Sequence, residues 1–138
     1  VRGAVVLQNE ATGEVELEAV AGAIASGRRV RIKKGEGIIG GVLRTGKPAV
    51  VPRVSREPGF MHRLSDRPEL RDGELSYVSV PIALDRKTLG AMSIDLHYKA
   101  ERDYNRMSTF LGVVGAMIGQ AVRVHRYTEV TSGKGSLM

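Results

Sequence analysis

The chain has no cysteine and no tryptophan. The lack of thiols removes disulfides, thiolate metal sites, thiol nucleophiles and covalent tetrapyrrole attachment together. Aromatic residues make up 4% of the 138, too few for the stacking platforms that hold single-stranded nucleic acid. No unbroken apolar run approaches the ~18–20 residues that a membrane-spanning helix needs. The longest weakly polar stretch, Phe110 to Val122, carries Gln120 and three glycines, with charged neighbours on both sides. No signal-peptide pattern opens the sequence, and the missing cysteines fit a cytoplasmic setting. The three histidines, His62, His97 and His125, are scattered, without a carboxylate or second histidine at ligand spacing, so neither a metal site nor a cofactor is expected.

What is present describes one soluble globular domain. Hydrophobic residues are 42% and charged residues 26%, and the length is enough to bury one core. An apolar strand-like run, Gly3-Ala4-Val5-Val6-Leu7, begins almost at the first residue, a valine, so the chain reads as a piece of a longer protein. A formal net charge of +6 suits an anionic ligand, an acidic partner surface or nucleic acid. The cations are spread over Arg28 to Lys34, Arg53 to Arg71 and Arg123 to Arg126. With so few aromatics among them, direct nucleic-acid binding is not expected of this chain.

Periodicity predicts an α+β order. Ala4–Leu7 and Val15–Val20 read as two strands around the turn Asn9-Glu10-Ala11-Thr12-Gly13. Arg29–Lys33 alternates too, with Val30 and Ile32 on one face and three cations on the other, the pattern of a solvated strand face. Ile38, Ile39, Val42 and Leu43 then fall at helical spacing, and Gly46 stands where a left-handed C-terminal cap belongs. Ala49–Val54 predicts a strand that leaves the sheet at Pro52, since proline donates no ladder hydrogen bond. Ser55 to Gly73 is too long for a plain turn and is of the kind that carries function, with a short helix expected around Phe60 to Leu64.

Tyr77–Leu84 and Leu89–Leu96 predict a second hairpin around Asp85-Arg86-Lys87-Thr88. Alternation puts Val78, Val80 and Ile82 on one side, as it does Met92 and Ile94; Tyr77, Ser79, Ala91, Ser93 and Asp95 take the opposite side, whose small polar residues suit a cavity wall. A helix follows from about Asn105 to about Tyr127, capped by Asn105 or Asp103. Met107, Leu111, Val114, Ile118, Ala121 and His125 form a seam spaced four and three, and Phe110, Val113, Met117 and Val124 widen it. Residues 131–138 read as a linker after a domain spanning 1–130.

Three segments carry a family likeness. Gly35 to Pro48, Gly-Glu-Gly-Ile-Ile-Gly-Gly-Val-Leu-Arg-Thr-Gly-Lys-Pro, resembles the "GEGIIG.VL.TGKP" segment of bacterial GAF domains. Ser79-Val80-Pro81-Ile82 with Leu89-Gly90-Ala91-Met92-Ser93 resembles their "AVPL…LGVLSL" hairpin, and Phe110 to Val122 their closing helix. Val51 to Leu64, followed by Glu74 to Pro81, resembles NifA and its alternative-nitrogenase relatives, where a "PR(V/I)S.EP.F..R" loop precedes an "(L/I).F(I/V).VP" strand. The likeness runs nearly to Tyr127. It implies a GAF fold: a twisted antiparallel sheet of five to six strands flanked by helices, with a long C-terminal helix and without the helix that normally precedes the first strand.

The same resemblance implies a function. In these activators a central AAA+ ATPase acts on RNA polymerase, a helix-turn-helix binds the enhancer, and the GAF domain controls the ATPase. It does so through 2-oxoglutarate in some members and through NifL- or PII-type proteins in others. A pocket for a small anionic metabolite is therefore expected between the sheet and the long loop. Arg53, Arg56, His62 and Arg63 would supply cations, since arginine's fork matches a carboxylate. Ala4, Val6, Tyr77, Ser79, Ser93 and Asp95 would form the floor. The competing reading pairs those arginines with Glu57, Asp66, Glu69 and Asp72, and Asp95 with a loop lysine. A homodimer is expected through Met107, Leu111, Val114 and Ile118.

The alternative function is an interaction module that docks a NifL- or PII-type regulator without a small-molecule ligand. Catalysis finds no support: the cysteines of GAF methionine-sulfoxide reductases and the "NKxxF…DE" pattern of cyclic-nucleotide GAF domains are both absent, and no Ser/His/Asp set follows a local motif. Ser132-Gly133-Lys134-Gly135-Ser136 lacks the first glycine of a phosphate loop.

Overall fold

In the computed structural model, residues 2–9, 11–22, 31–32, 37–56 and 74–137 are described. Six strands form one antiparallel sheet: β1 (Arg2–Gln8), β2 (Val15–Gly22), β3 (Arg31–Ile32), β4 (Ala49–Val51), β5 (Leu75–Leu84) and β6 (Lys87–His97). Their order across the sheet is β3-β2-β1-β6-β5-β4. Helix α1 (Gly37–Thr45) lies on one face and α2 (Tyr104–Leu137) on the other. This is the expected α+β architecture. Of the long loop expected at Ser55 to Gly73, residues 57–73 lie outside the described residues, and with them the short helix expected around Phe60 to Leu64, as does most of the basic strand expected at Arg29–Lys33.

Local chemistry sets the turns. Asn9 Oδ1 accepts from the amides of Ala11 (2.9 Å) and Thr12 (3.3 Å), closing the β1–β2 turn. The second hairpin is tighter than its expected four residues: β5 runs to Leu84, β6 starts at Lys87, and Asp85 (φ 50°) and Arg86 (φ 67°) are both left-handed. Two positive φ angles in a two-residue loop match the twist of the flanking strands, as in a type I′ turn. Gly46 (φ 69°) caps α1, its amide donating to Val42 O at 2.8 Å.

Alternation along β5 and β6 sorts side chains as the sequence predicts. On the α1 face, Val42 and Leu43 pack with Val6, Val15 and Ala91, while Ile38 and Ile39 meet Val51, Val54, Leu75 and Tyr77. On the α2 face, Val78, Val80 and Tyr104 form the core, with Met92, Ile94, Met107 and Leu111 against it. Fully burying each valine or isoleucine contributes about 1.5–3 kcal/mol, so each helix is held mainly by its apolar face rather than by intrinsic propensity.

Of the two caps expected for α2, Asp103 is used: its Oδ1 accepts from the Arg106 amide at 2.9 Å. Two glycines seat the helix on the sheet. A Cβ at Gly115 would stand 2.9 Å from Pro81 O, and one at Gly119 2.9 Å from Ala83 O, so α2 crosses the backbone of β5 too closely for a side chain. Proline is tolerated at position 81 because β4 pairs only with Tyr77, Val78 and Ser79 and ends before it.

The C-terminal end of α2 differs from the expected one. The helix expected to end at about Tyr127 continues through Leu137; extending a formed helix needs no new nucleus, and Gly133 and Gly135 cost only about 1 kcal/mol each. Tyr104–Arg126 is long and apolar enough to cross a membrane by length and composition. Its valines, Phe110, Leu111 and Ile118 raise the mean hydropathy, while glycines, Gln120 and Arg123 keep the apolar stretch discontinuous. One face of that helix is committed to the sheet.

Candidate functional site

Strand register brings the expected floor together. Ala4 stands opposite Ser93, Val6 opposite Ala91, Ser79 opposite Ser93, and Tyr77 opposite Asp95. The three hydroxyls form a chain: Tyr77 Oη donates to Ser93 Oγ at 2.7 Å, and Ser93 Oγ donates to Ser79 Oγ at 3.0 Å. All three side chains are buried, Ser79 completely. Hydroxyls in this environment need partners, and here they supply one another. Val6 belongs to the apolar core with Val42 and Leu43, whereas Ala4 is half-buried. Asp95 pairs with Arg2 of β1, with Oδ2 at 3.2 Å from a terminal guanidinium nitrogen and 3.3 Å from Nε. Arg2 stands opposite Asp95 in the β1–β6 register, so a strand arginine holds the acid where a loop lysine was expected.

The arginine expected to reach over this floor goes elsewhere. The Arg53 guanidinium carbon lies 4.7 Å from the centre of the Tyr98 ring, a cation–π contact. Tyr98 packs with Val78, Val80 and Tyr104 on the α2 face, opposite the hydroxyl chain. Pro52 turns the chain out of β4, which lets residue 53 meet the aromatic pair at that end of the sheet. Arg53 Nε is buried and makes no hydrogen bond. Arg56 is exposed at the end of a short 3₁₀ turn, Val54–Arg56. His62 and Arg63 lie outside the described residues.

Around Arg53 the structure builds a second polar cluster that sequence reasoning missed. Glu74, where the chain re-enters the sheet, accepts from Ser55 twice: from its amide at 2.9 Å and its hydroxyl at 2.6 Å. Partial burial raises the Glu74 pKa, but those hydrogen bonds and the charges of Arg53 and Arg56 outweigh it and leave the carboxyl below its ordinary range. Ser76 Oγ donates to Pro52 O at 2.7 Å and lies 2.6 Å from Tyr104 Oη. The same phenol oxygen accepts from the Lys99 amide at 3.1 Å. Tyr98 stacks on Tyr104 with centroids 6.4 Å apart and planes 3° from parallel, and Arg102 stands 5.9 Å from the Tyr104 ring. The base of the long loop is thereby joined to the first residue of α2. Two of only four tyrosines, close together at the start of the helix, were the available signal.

The proposed seam on α2 divides. Met107 and Leu111 pack against the chain's own sheet, and Val114 and Ile118 are half-buried. Among the described residues, the large exposed apolar side chains are Phe110 (67% exposed), Val113 (58%), Met117 (66%) and Val124 (64%). At 3.6 residues per turn they form a stripe roughly opposite Gly115. A shallow groove of about 220 Å³ also lies on the α2 side, lined by Pro48, Val80, Pro81, Ala83, Ser108, Gly112 and Ala116.

Comparison with known proteins gives these features a setting. A Nif-specific regulatory protein of Azospirillum brasilense is 37% identical over 100 residues, 71% of this chain and 16% of that protein. The nitrogen fixation protein VnfA of Azotobacter vinelandii is 32% identical over 133 residues, 94% of this chain and 25% of that protein. The chain thus spans only a sixth to a quarter of the length of such relatives. Among solved structures, the nlh2 GAF domain of A. aeolicus in an inactive state has a TM-score of 0.77 at 19% identity, covering 90% of this chain and 74% of that one. A free methionine-R-sulfoxide reductase of Neisseria meningitidis has 0.72 at 20%, covering 92% and 70%; both show the fold. The GAF domain model matches residues 1–122. With this match across most of its length, and with the sheet and flanking helices in place, the chain belongs to the GAF domain family.

Proposed function

We propose that this domain is the non-catalytic sensory module of a NifA-like transcription activator, working in the cytoplasm and controlling a downstream AAA+ ATPase in response to a small anionic metabolite of the 2-oxoglutarate kind. The observation that carries the reading is the similarity to Nif-specific regulatory proteins, 37% identity over 71% of the chain. The cationic balance of +6 agrees with a receptor for an anion. Calorimetric titration with 2-oxoglutarate tests it. Saturable binding is expected, weakened at least tenfold by Arg56→Ala, an exposed position where substitution spares the core. A flat titration at millimolar ligand defeats the metabolite reading.

A second reading has its own observation. The hydroxyl chain Tyr77–Ser93–Ser79 is buried and internally hydrogen-bonded, so the floor offers a ligand few ready partners. This favours an interaction module that docks a NifL- or PII-type regulator, and a flat metabolite titration together with saturable binding of such a protein selects it. Under either reading the domain pairs with a second copy through α2. The stripe Phe110, Val113, Met117 and Val124 suits that role better than Met107 and Leu111, which the sheet already occupies. Sedimentation of Phe110→Ser/Met117→Ser is expected to show monomer where the wild type shows dimer; an unchanged dimer rules the stripe out.

A further inference from the structure

We propose that the Ser55–Arg56 turn, together with Arg53, is a carboxylate-binding site held in the resting domain by Glu74 as a tethered internal ligand, and that a free dicarboxylate binds by displacing it. The inference rests on the metabolite-sensor reading and places its site at the loop base instead of over the serines.

The geometry is that of a recognised carboxylate. One Glu74 oxygen takes the Ser55 amide at 2.9 Å and the other takes the Ser55 hydroxyl at 2.6 Å. Two donors, one to each oxygen, are what a carboxylate needs for fixed orientation. The charges of Arg53 and Arg56 act on the same group, and Arg53 is anchored over Tyr98. The occupant is nineteen positions away in sequence from its donor, so it is not a local turn closing on itself.

Occupancy by Glu74 is exchangeable because Ser55 and Arg56 are exposed and Glu74 is only half-buried. The carboxylate can leave for water without abandoning a charge in the core. The hydroxyl chain on the other face offers no such exchange, since its members are buried. Replacement at Ser55 would also be felt elsewhere. Pro52, three residues before, bonds Ser76, which meets Tyr104 at the start of α2, and Arg53 stacks on Tyr98, which stacks on Tyr104. A ligand that frees Glu74 therefore acts next to the contacts that seat the long helix.

The test is titration of the 138-residue chain with glutarate, a plain five-carbon dicarboxylate. Glu74→Ala is expected to bind it at least tenfold more tightly than the wild type, Glu74→Gln to fall between them, and Glu74→Ala/Ser55→Ala to return to the wild-type value or below. Glu74→Gln keeps the shape of the side chain and safeguards the result if the alanine variant folds poorly. Glu14→Gln, in the β1–β2 turn, removes one negative charge from another part of the sheet and is expected to change nothing. Equal gains from Glu14→Gln and Glu74→Gln would reduce the effect to net charge and overturn the site, as would a Glu74→Gln affinity no tighter than wild type. Binding by the Glu74 variants with a flat wild-type titration keeps the site while removing the sensor reading. Wild-type binding without gain in either variant removes the site and leaves the sensor.

Discussion

The two faces of the sheet solve the problem of a buried hydroxyl in different ways. On the α1 face, Tyr77, Ser93 and Ser79 bond to one another inside a layer of apolar side chains. At the loop base toward α2, Ser76 and Tyr104 bridge to backbone, Ser55 holds a carboxylate at the surface, and arginines stack on tyrosines. The first arrangement is closed: each hydroxyl bonds to another inside the core, and removing a member leaves a hole that water does not easily reach. The second is open at its rim and couples segments distant in sequence. A region that must report a signal needs the second kind, because only groups that exchange partners at low cost can register a change outside.

The difference is measurable by truncating one serine in each. Ser93→Ala withdraws the acceptor of the Tyr77 hydroxyl and the donor to Ser79, both buried, and is expected to cost about 1–3 kcal/mol. Ser55→Ala removes one of two hydrogen bonds to Glu74 at an exposed position, and is expected to cost no more than about 0.5 kcal/mol. Urea unfolding of the two variants against wild type reads both. Comparable losses would mean that the loop base is as closed as the serine chain, and the distinction would fall.

How much of this was legible without coordinates follows from the range of each interaction. Strand faces came directly from period-two alternation, and the register sets Ala4 and Ser79 opposite Ser93. Caps were legible because Gly46 and Asp103 act within four residues of the groups they satisfy. The direction of Arg53 was not, because it depends on Tyr98, forty-five positions on, which marks the end of β6 and attracts a cation only once the fold is made. The seam on α2 misled for a related reason. Heptad spacing identified one widened seam, but Gly115 and Gly119 decide which part of the helix meets the sheet, since their missing side chains admit the backbone of β5. A pattern search counts apolar residues, whereas here the packing face is chosen by the smallest ones.

The smallest expected effect tests the open region most directly. The Glu74 pKa lies below its ordinary value because stabilisation from Ser55, Arg53 and Arg56 exceeds the penalty of partial burial. A depressed carboxyl contributes stability above its unfolded pKa, near 4.5, and loses it as pH falls through the folded value. Other carboxylates titrate in the same range, so the quantity to follow is the difference in melting temperature between wild type and Glu74→Gln. Above the ordinary carboxylate range the wild type should be slightly more stable. The gap should narrow as pH drops and close once Glu74 is protonated in the folded domain. Raised salt should shrink it too, because the arginines act through solvent-exposed space. A gap that persists unchanged to low pH would mean that Glu74 works through packing rather than through its charge, and the loop base would then be no more exchangeable than the serine chain opposite.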